Sequence, residues 1–131
     1  MRSLIVEDDF TSRVLLQELL RGYGPVHVAV NGREAVEAVS AALGSREPYD
    51  LICLDIMMPD TDGQAALREI RGLEDKHGIQ GLERSKVVMT TALKDKDNVR
   101  SAFREQCDGY LVKPIRKDGL LSQLRELGLI S

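Results

Sequence analysis

Six residues in four separated stretches of this sequence have side chains able to do phosphoryl and metal chemistry. Glu7, Asp8 and Asp9 follow the apolar run Leu4-Ile5-Val6, and Asp55 follows Leu51-Ile52-Cys53-Leu54. Thr91 ends Val87-Val88-Met89-Thr90, and Lys113 ends Tyr110-Leu111-Val112. Clustered carboxylates repel one another and raise each other's pKa unless a cation joins them. A hard divalent ion such as Mg²⁺ suits them, since it takes one or two carboxylates and keeps several waters. A carboxylate beside such an ion is a nucleophile toward phosphorus, and a lysine supplies a point charge to a phosphoryl oxygen. Taken singly, each residue has a plainer role: Glu7-Asp8-Asp9 as a solvated loop and helix cap, Asp55 as a turn, Thr91 as a strand residue, Lys113-Pro114 as a strand end.

The elements that must position these groups alternate along the chain. Short apolar runs read as strands buried on both faces. The second is expected at Val26, Val28 and Val30. Between the runs lie amphipathic stretches: Leu15, Leu16, Leu19 and Leu20; Ala35, Val36, Val39 and Leu43; Ala66, Leu67 and Ile70; Val99, Ala102 and Phe103; Leu120, Leu121, Leu124 and Leu127. Five alternations of strand and helix call for an α/β fold, a parallel sheet with helices on both faces. In such sheets ligands bind beyond the carboxyl ends of the strands, where the candidate residues fall. Met58-Pro59-Asp60-Thr61-Asp62-Gly63 reads as a loop. The polar stretch from Gly72 to Ser85 is long for a connection and reads as a helix extension plus a loop, or as a partner-specific insertion.

At 131 residues, 43% hydrophobic and 30% charged, residues 1–131 are expected to form one soluble domain. A net charge of -3 argues against direct nucleic-acid binding, which needs clustered cations. No signal peptide or membrane span is expected. Cys53 and Cys107 have no metal-type partner at short spacing and read as free thiols of a cytoplasmic protein.

The ordered set Leu4-Ile5-Val6-Glu7-Asp8-Asp9, Leu54-Asp55-Ile56-Met57-Met58-Pro59, Asp62-Gly63, Thr91-Ala92 and Gly109-Tyr110-Leu111-Val112-Lys113-Pro114-Ile115 resembles response-regulator receiver domains of two-component systems. The resemblance runs from Ser3 to about Leu127 and is nearest to the stand-alone, chemotaxis-type receivers. It implies a flavodoxin-like doubly wound sheet of strand order 2-1-3-4-5 with five helices. It implies Asp55 as phosphoacceptor and Mg²⁺, with Mn²⁺ able to substitute, held by Glu7, Asp8, Asp55 and the backbone carbonyl of Met57. Three acids stand in a row, so the metal pair is Glu7/Asp8 or Asp8/Asp9; the strand register and the buried face of the first helix favour the former.

Thr91 and Lys113 match the family's switch hydroxyl and phosphate-pairing lysine. Tyr110 matches the aromatic that turns inward on activation, and Lys113-Pro114 the family's cis peptide. The implied function is to accept a phosphoryl group from a histidine kinase and to alter the face of the fourth helix, fifth strand and fifth helix (α4-β5-α5) for a downstream protein. Such a protein catalyses only its own phosphorylation and dephosphorylation, with no other enzymatic activity. Met57 and Leu93 put bulky apolar groups where receivers admit hydrolytic water, which predicts slow self-dephosphorylation.

A haloacid-dehalogenase-like phosphatase needs a second acid where Met57 stands, and a flavin carrier's phosphate would be repelled by Glu7-Asp8-Asp9. The remaining alternatives are a non-phosphorylated pseudo-receiver scaffold and a receiver belonging to a larger regulator or hybrid kinase. Few residues follow Leu127, so no output domain is expected if the chain is complete.

Overall fold

The computed structural model describes residues 1–58, 61–92 and 107–131. Pro59 and Asp60 of the expected loop, Leu93, and the expected helix around Val99, Ala102 and Phe103 lie outside the described residues. Five parallel strands form the sheet: β1 (Ser3–Val6), β2 (Val26–Ala29), β3 (Leu51–Asp55), β4 (Lys86–Ala92) and β5 (Gly109–Lys113). Their spatial order is β2-β1-β3-β4-β5, the expected 2-1-3-4-5. Helices α1 (Phe10–Leu20), α2 (Gly32–Gly44), α3 (Gly63–Lys76) and a C-terminal helix (Lys117–Glu126) cover it.

β1 and β3 are buried along their whole length because each is flanked by two strands and covered on both faces. One core cluster joins Leu4, Val6, Ile52 and Leu54 to Ala35, Val39, Leu67 and Ile70 on α2 and α3. The other joins Ile5, Cys53 and Val88 to Leu16 and Leu20 on α1 and Leu120 and Leu124 on the C-terminal helix. Alternate residues of one strand thus serve opposite layers.

Local chemistry sets the helix starts. Asp9 caps α1 by accepting from the Ser12 amide at 2.9 Å. Asn31 caps α2 through the Glu34 amide at 2.8 Å, and Glu34 reaches back to the Val30 amide at 3.0 Å. Gly63, the first residue of α3, lies so close to β3 that an added Cβ would come within 2.9 Å of Ile56 Cα and 3.0 Å of the Asp55 carbonyl oxygen.

Two details differ from the sequence reading. β2 ends at Ala29, which is buried, while Val30 lies outside it and is exposed. On α1 Leu16 and Leu20 are buried and Leu15 is exposed, so the apolar stripe is narrower than four leucines suggest. Of the stretch from Gly72 to Ser85, α3 takes the part to Lys76. A turn through Gly78 (φ 72°) and a short 3₁₀ helix at Gly81–Glu83 complete it, which fits a helix extension plus a loop.

Beneath the sheet, at the amino ends of β4 and β5, an ion network built on buried Arg71 and Glu74 ties α3 to both strands. Arg71 pairs with Glu74 at 2.7 Å and Asp108 at 3.0 Å, and donates to the Ser85 carbonyl at 2.9 Å. Glu74 accepts from the Ser85 amide at 2.7 Å, and Asp108 from the Val87 amide at 2.8 Å.

Candidate functional site

The topological switch point lies between β1 and β3, from which the chain departs in opposite directions. Glu7 and Asp8 follow the end of β1, and Asp55 is the last residue of β3. One carboxylate oxygen from each of the three falls within 4.8 Å of the others. Glu7 and Asp55 are buried, whereas Asp8 is exposed.

Lys113, at the end of β5, reaches across this group. Its Nζ lies 2.7 Å from Glu7 Oε1 and 3.2 Å from Asp55 Oδ2. Glu7 Oε1 is fully buried and has no well-aligned hydrogen-bond donor, while Oε2 accepts from the Asp9 amide at 3.3 Å. Burial first, then the hydrogen bond and charge of neighbouring Asp55, push the Glu7 carboxyl up to about 7 against the pull of Lys113. For Lys113 burial works toward the neutral amine, but the hydrogen bonds and charges of Glu7 and Asp55 outweigh it and hold the ammonium above its usual range.

Three carboxylates with one ammonium leave a deficit of positive charge, even though Lys113 Nζ lies 2.7 Å from the buried Glu7 Oε1. The donors are all hard oxygens, and exposed Asp8 leaves room for water. Such a set fits Mg²⁺.

Asp9 stands apart from this group. Its carboxylate caps α1, and the Ser12 amide holds it below its usual range. Of the two metal pairs left open by the sequence, Glu7/Asp8 is the one that converges with Asp55.

Thr91 is buried on β4, one residue beyond Thr90, the partner of Asp55 in the sheet register. Its hydroxyl donates to the Ala92 carbonyl at 3.3 Å. Tyr110, on β5, is half-buried and packs against the cluster beneath α2 and α3. Met57 follows Asp55 by two residues, in a two-residue antiparallel pairing of Met57–Met58 with Thr61–Asp62. The Lys113-Pro114 peptide is cis, as expected.

Sequence reasoning did not single out Arg13. Its guanidinium lies 5.6 Å from the Phe10 ring centroid, and Nη1 is 3.5 Å from the Glu7 carbonyl oxygen. The signal for it was slight, a lone arginine one turn after a helix cap.

Residues 3–125 match the family model described as the response regulator receiver domain. The chain is 32% identical over 124 residues to the transcriptional regulatory protein ZraR of Escherichia coli, covering 94% of this chain but spanning only 25% of that protein. It is 29% identical over 127 residues to the chemotaxis protein CheY of Bacillus subtilis, covering 95% of each. Among solved structures, the receiver domain of the histidine kinase CKI1 from Arabidopsis thaliana, complexed with Mg²⁺ and BeF₃⁻, superposes with a TM-score of 0.78. The identity there is 28%, and the match covers 97% of this chain and 89% of that one.

Proposed function

The chain belongs to the response regulator receiver domain family of two-component systems, and on that premise we propose that it is a phosphoryl-accepting switch centred on Asp55. The observation that carries this reading is the convergence of Glu7, Asp8 and Asp55 at the switch point, with Lys113 spanning Glu7 and Asp55.

In this reading an Asp55 oxygen attacks phosphorus in the phosphohistidine of a cognate histidine kinase. The phosphorus–nitrogen bond breaks, the imidazole nitrogen keeps its electron pair, and an acyl phosphate forms. Glu7, Asp8, Asp55 and the Met57 carbonyl are the groups that would hold Mg²⁺, or Mn²⁺ in its place. When bound, the ion supplies positive charge to the phosphoryl oxygens. Lys113 gives up part of its pairing with Glu7 and Asp55 and bonds a phosphoryl oxygen instead. Phe10 and Val14, one turn apart on α1 and both exposed, give a donor protein an apolar surface beside the acids.

Phosphorylation adds roughly one and a half to two negative charges at neutral pH. The Thr91 hydroxyl turns from the Ala92 carbonyl toward the phosphoryl group, and Tyr110 takes the room it leaves. A downstream protein reads the altered face around β5 and the C-terminal helix, in the cytoplasm, with no reaction catalysed beyond the protein's own phosphorylation and dephosphorylation. The expected fourth helix of that face, and the side chains of Met57 and Leu93 on which slow dephosphorylation rests, lie outside the described residues and side chains.

Mg²⁺-dependent labelling by acetyl phosphate tests the proposal. The wild-type chain is expected to take up the phosphoryl group and Asp55→Asn to take up none. Absence of uptake by the wild type would favour a non-phosphorylated scaffold.

A further inference from the structure

The phosphoacceptor edge is acidic, and a phosphorylated donor must approach it while carrying negative charge itself. Glu7, Asp8, Asp9 and Asp55 all lie there, and Lys113, the one cation among the described residues that pairs with them, is already engaged with two. Arg13 stands at the rim. Phe10, whose ring lies beneath its guanidinium, is 69% exposed, and Arg13 itself is half-buried. The contact with the Glu7 carbonyl is long, at 3.5 Å, and uses Nη1 alone. Among the described residues Arg13 has no carboxylate within ion-pair distance. A surface arginine is ordinarily solvated and mobile; this one is held by a carbonyl and a ring, and its charge acts on Asp9 one turn away without closing an ion pair.

We infer that Arg13 is a positioning residue that steers the anionic phosphoryl group of the donor onto the edge where Asp55 waits. The inference rests on the phosphoacceptor reading above and adds to it the residue that admits the donor. A guanidinium presents paired N–H donors matched to phosphoryl oxygens. A rim charge acts on the rate of encounter, and salt weakens it over a screening length of about 10 Å at 0.1 M.

A purely structural role predicts something else. If Arg13 only braced the backbone at Glu7, its loss would loosen the metal ligands and weaken Mg²⁺ binding. If it acts as a charge, its loss beside the acids tightens Mg²⁺ binding or leaves it unchanged. The two roles therefore differ in sign on the metal and in salt dependence on the rate.

The test compares the full chain with Arg13→Met and Arg13→Lys, by Mg²⁺ titration and by phosphorylation from acetyl phosphate at saturating Mg²⁺. At low salt Arg13→Met is expected to slow phosphorylation roughly five-fold, with the gap closing at high salt, while Mg²⁺ affinity holds or rises. Arg13→Lys is expected to recover most of the rate. An unchanged rate at low salt, a gap that survives high salt, or weakened Mg²⁺ binding would overturn the inference. Failure of the wild type to be labelled at all would instead remove the phosphoacceptor reading beneath it.

Discussion

Each edge of the sheet holds two acids that share one cation. At the carboxyl edge Glu7 and Asp55 share Lys113. At the amino edge Glu74 and Asp108 share Arg71. The charge count is the same, but the supply of N–H donors is not. Glu74 and Asp108 each accept a backbone amide, from Ser85 and Val87, at 2.7 and 2.8 Å. Glu7 gets only one long amide bond, from Asp9 at 3.3 Å, and its other oxygen depends on Lys113 alone, at 2.7 Å and without good alignment. Buried charge is tolerated where partners satisfy it, and an unsatisfied excess is what chemistry can use. Under the proposed function the amino edge is structural and the carboxyl edge reactive.

Three measurements break or sharpen this contrast. The largest effect is expected below the sheet, where Arg71→Met leaves Glu74 and Asp108 without their counter-ion and costs about 3–5 kcal/mol in urea unfolding. A loss too small to resolve would mean that the amides alone satisfy those acids, and the two edges would no longer differ as argued.

The next effect is one of pH at the carboxyl edge. The fold favours protonated Glu7, so that contribution to stability is complete below its unshifted value of 4.5 and is lost as pH rises through about 7. In metal-free protein the thermal midpoint is expected to fall across that window. Saturating Mg²⁺, which competes with the proton, is expected to flatten the fall. A midpoint that climbs over the same range without metal would contradict a strained Glu7.

The smallest effect belongs to Asp9, which stands next to the reactive edge without joining it. Asp9→Ala is expected to lower the thermal midpoint slightly through loss of the α1 cap while leaving Mg²⁺ affinity unchanged. Marked loss of Mg²⁺ binding would place Asp9 among the ligands and reopen the choice between the two acid pairs.

The sequence made the reactive edge legible because parallel strands buried on both faces show up as continuous apolar runs. Whatever ends such a run lies at the sheet's rim, as Glu7, Asp55 and Lys113 do. The structural edge was not legible. Arg71 and Glu74, three apart on a helix, look like any solvated pair, and Asp108 is separated from Arg71 by 37 positions. Only the fold reveals that the three meet at the amino ends of β4 and β5.

The same limit explains the finer misses. Leu15 and Leu16 are chemically alike, and packing alone decides that Leu16 is inside. Val30 has the stronger strand preference, yet Ala29 is the residue covered by α2, and the Asn31 cap ends the extended run. Neighbouring acids also cannot be ranked by type. What separates Glu7 from Asp9 is that the helix begins at Phe10, which commits Asp9 to its own backbone.

Helix α3 spans 14 residues, a rod of about 20 Å. Its first residue, Gly63, rests on the main chain of Asp55 and Ile56 with no room for a methyl group, and its far end carries Arg71 and Glu74. The two edges that electrostatics sets apart are therefore joined mechanically. A shift of the Asp55 backbone has a stiff path to the opposite side of the domain, anchored there to two strands at once.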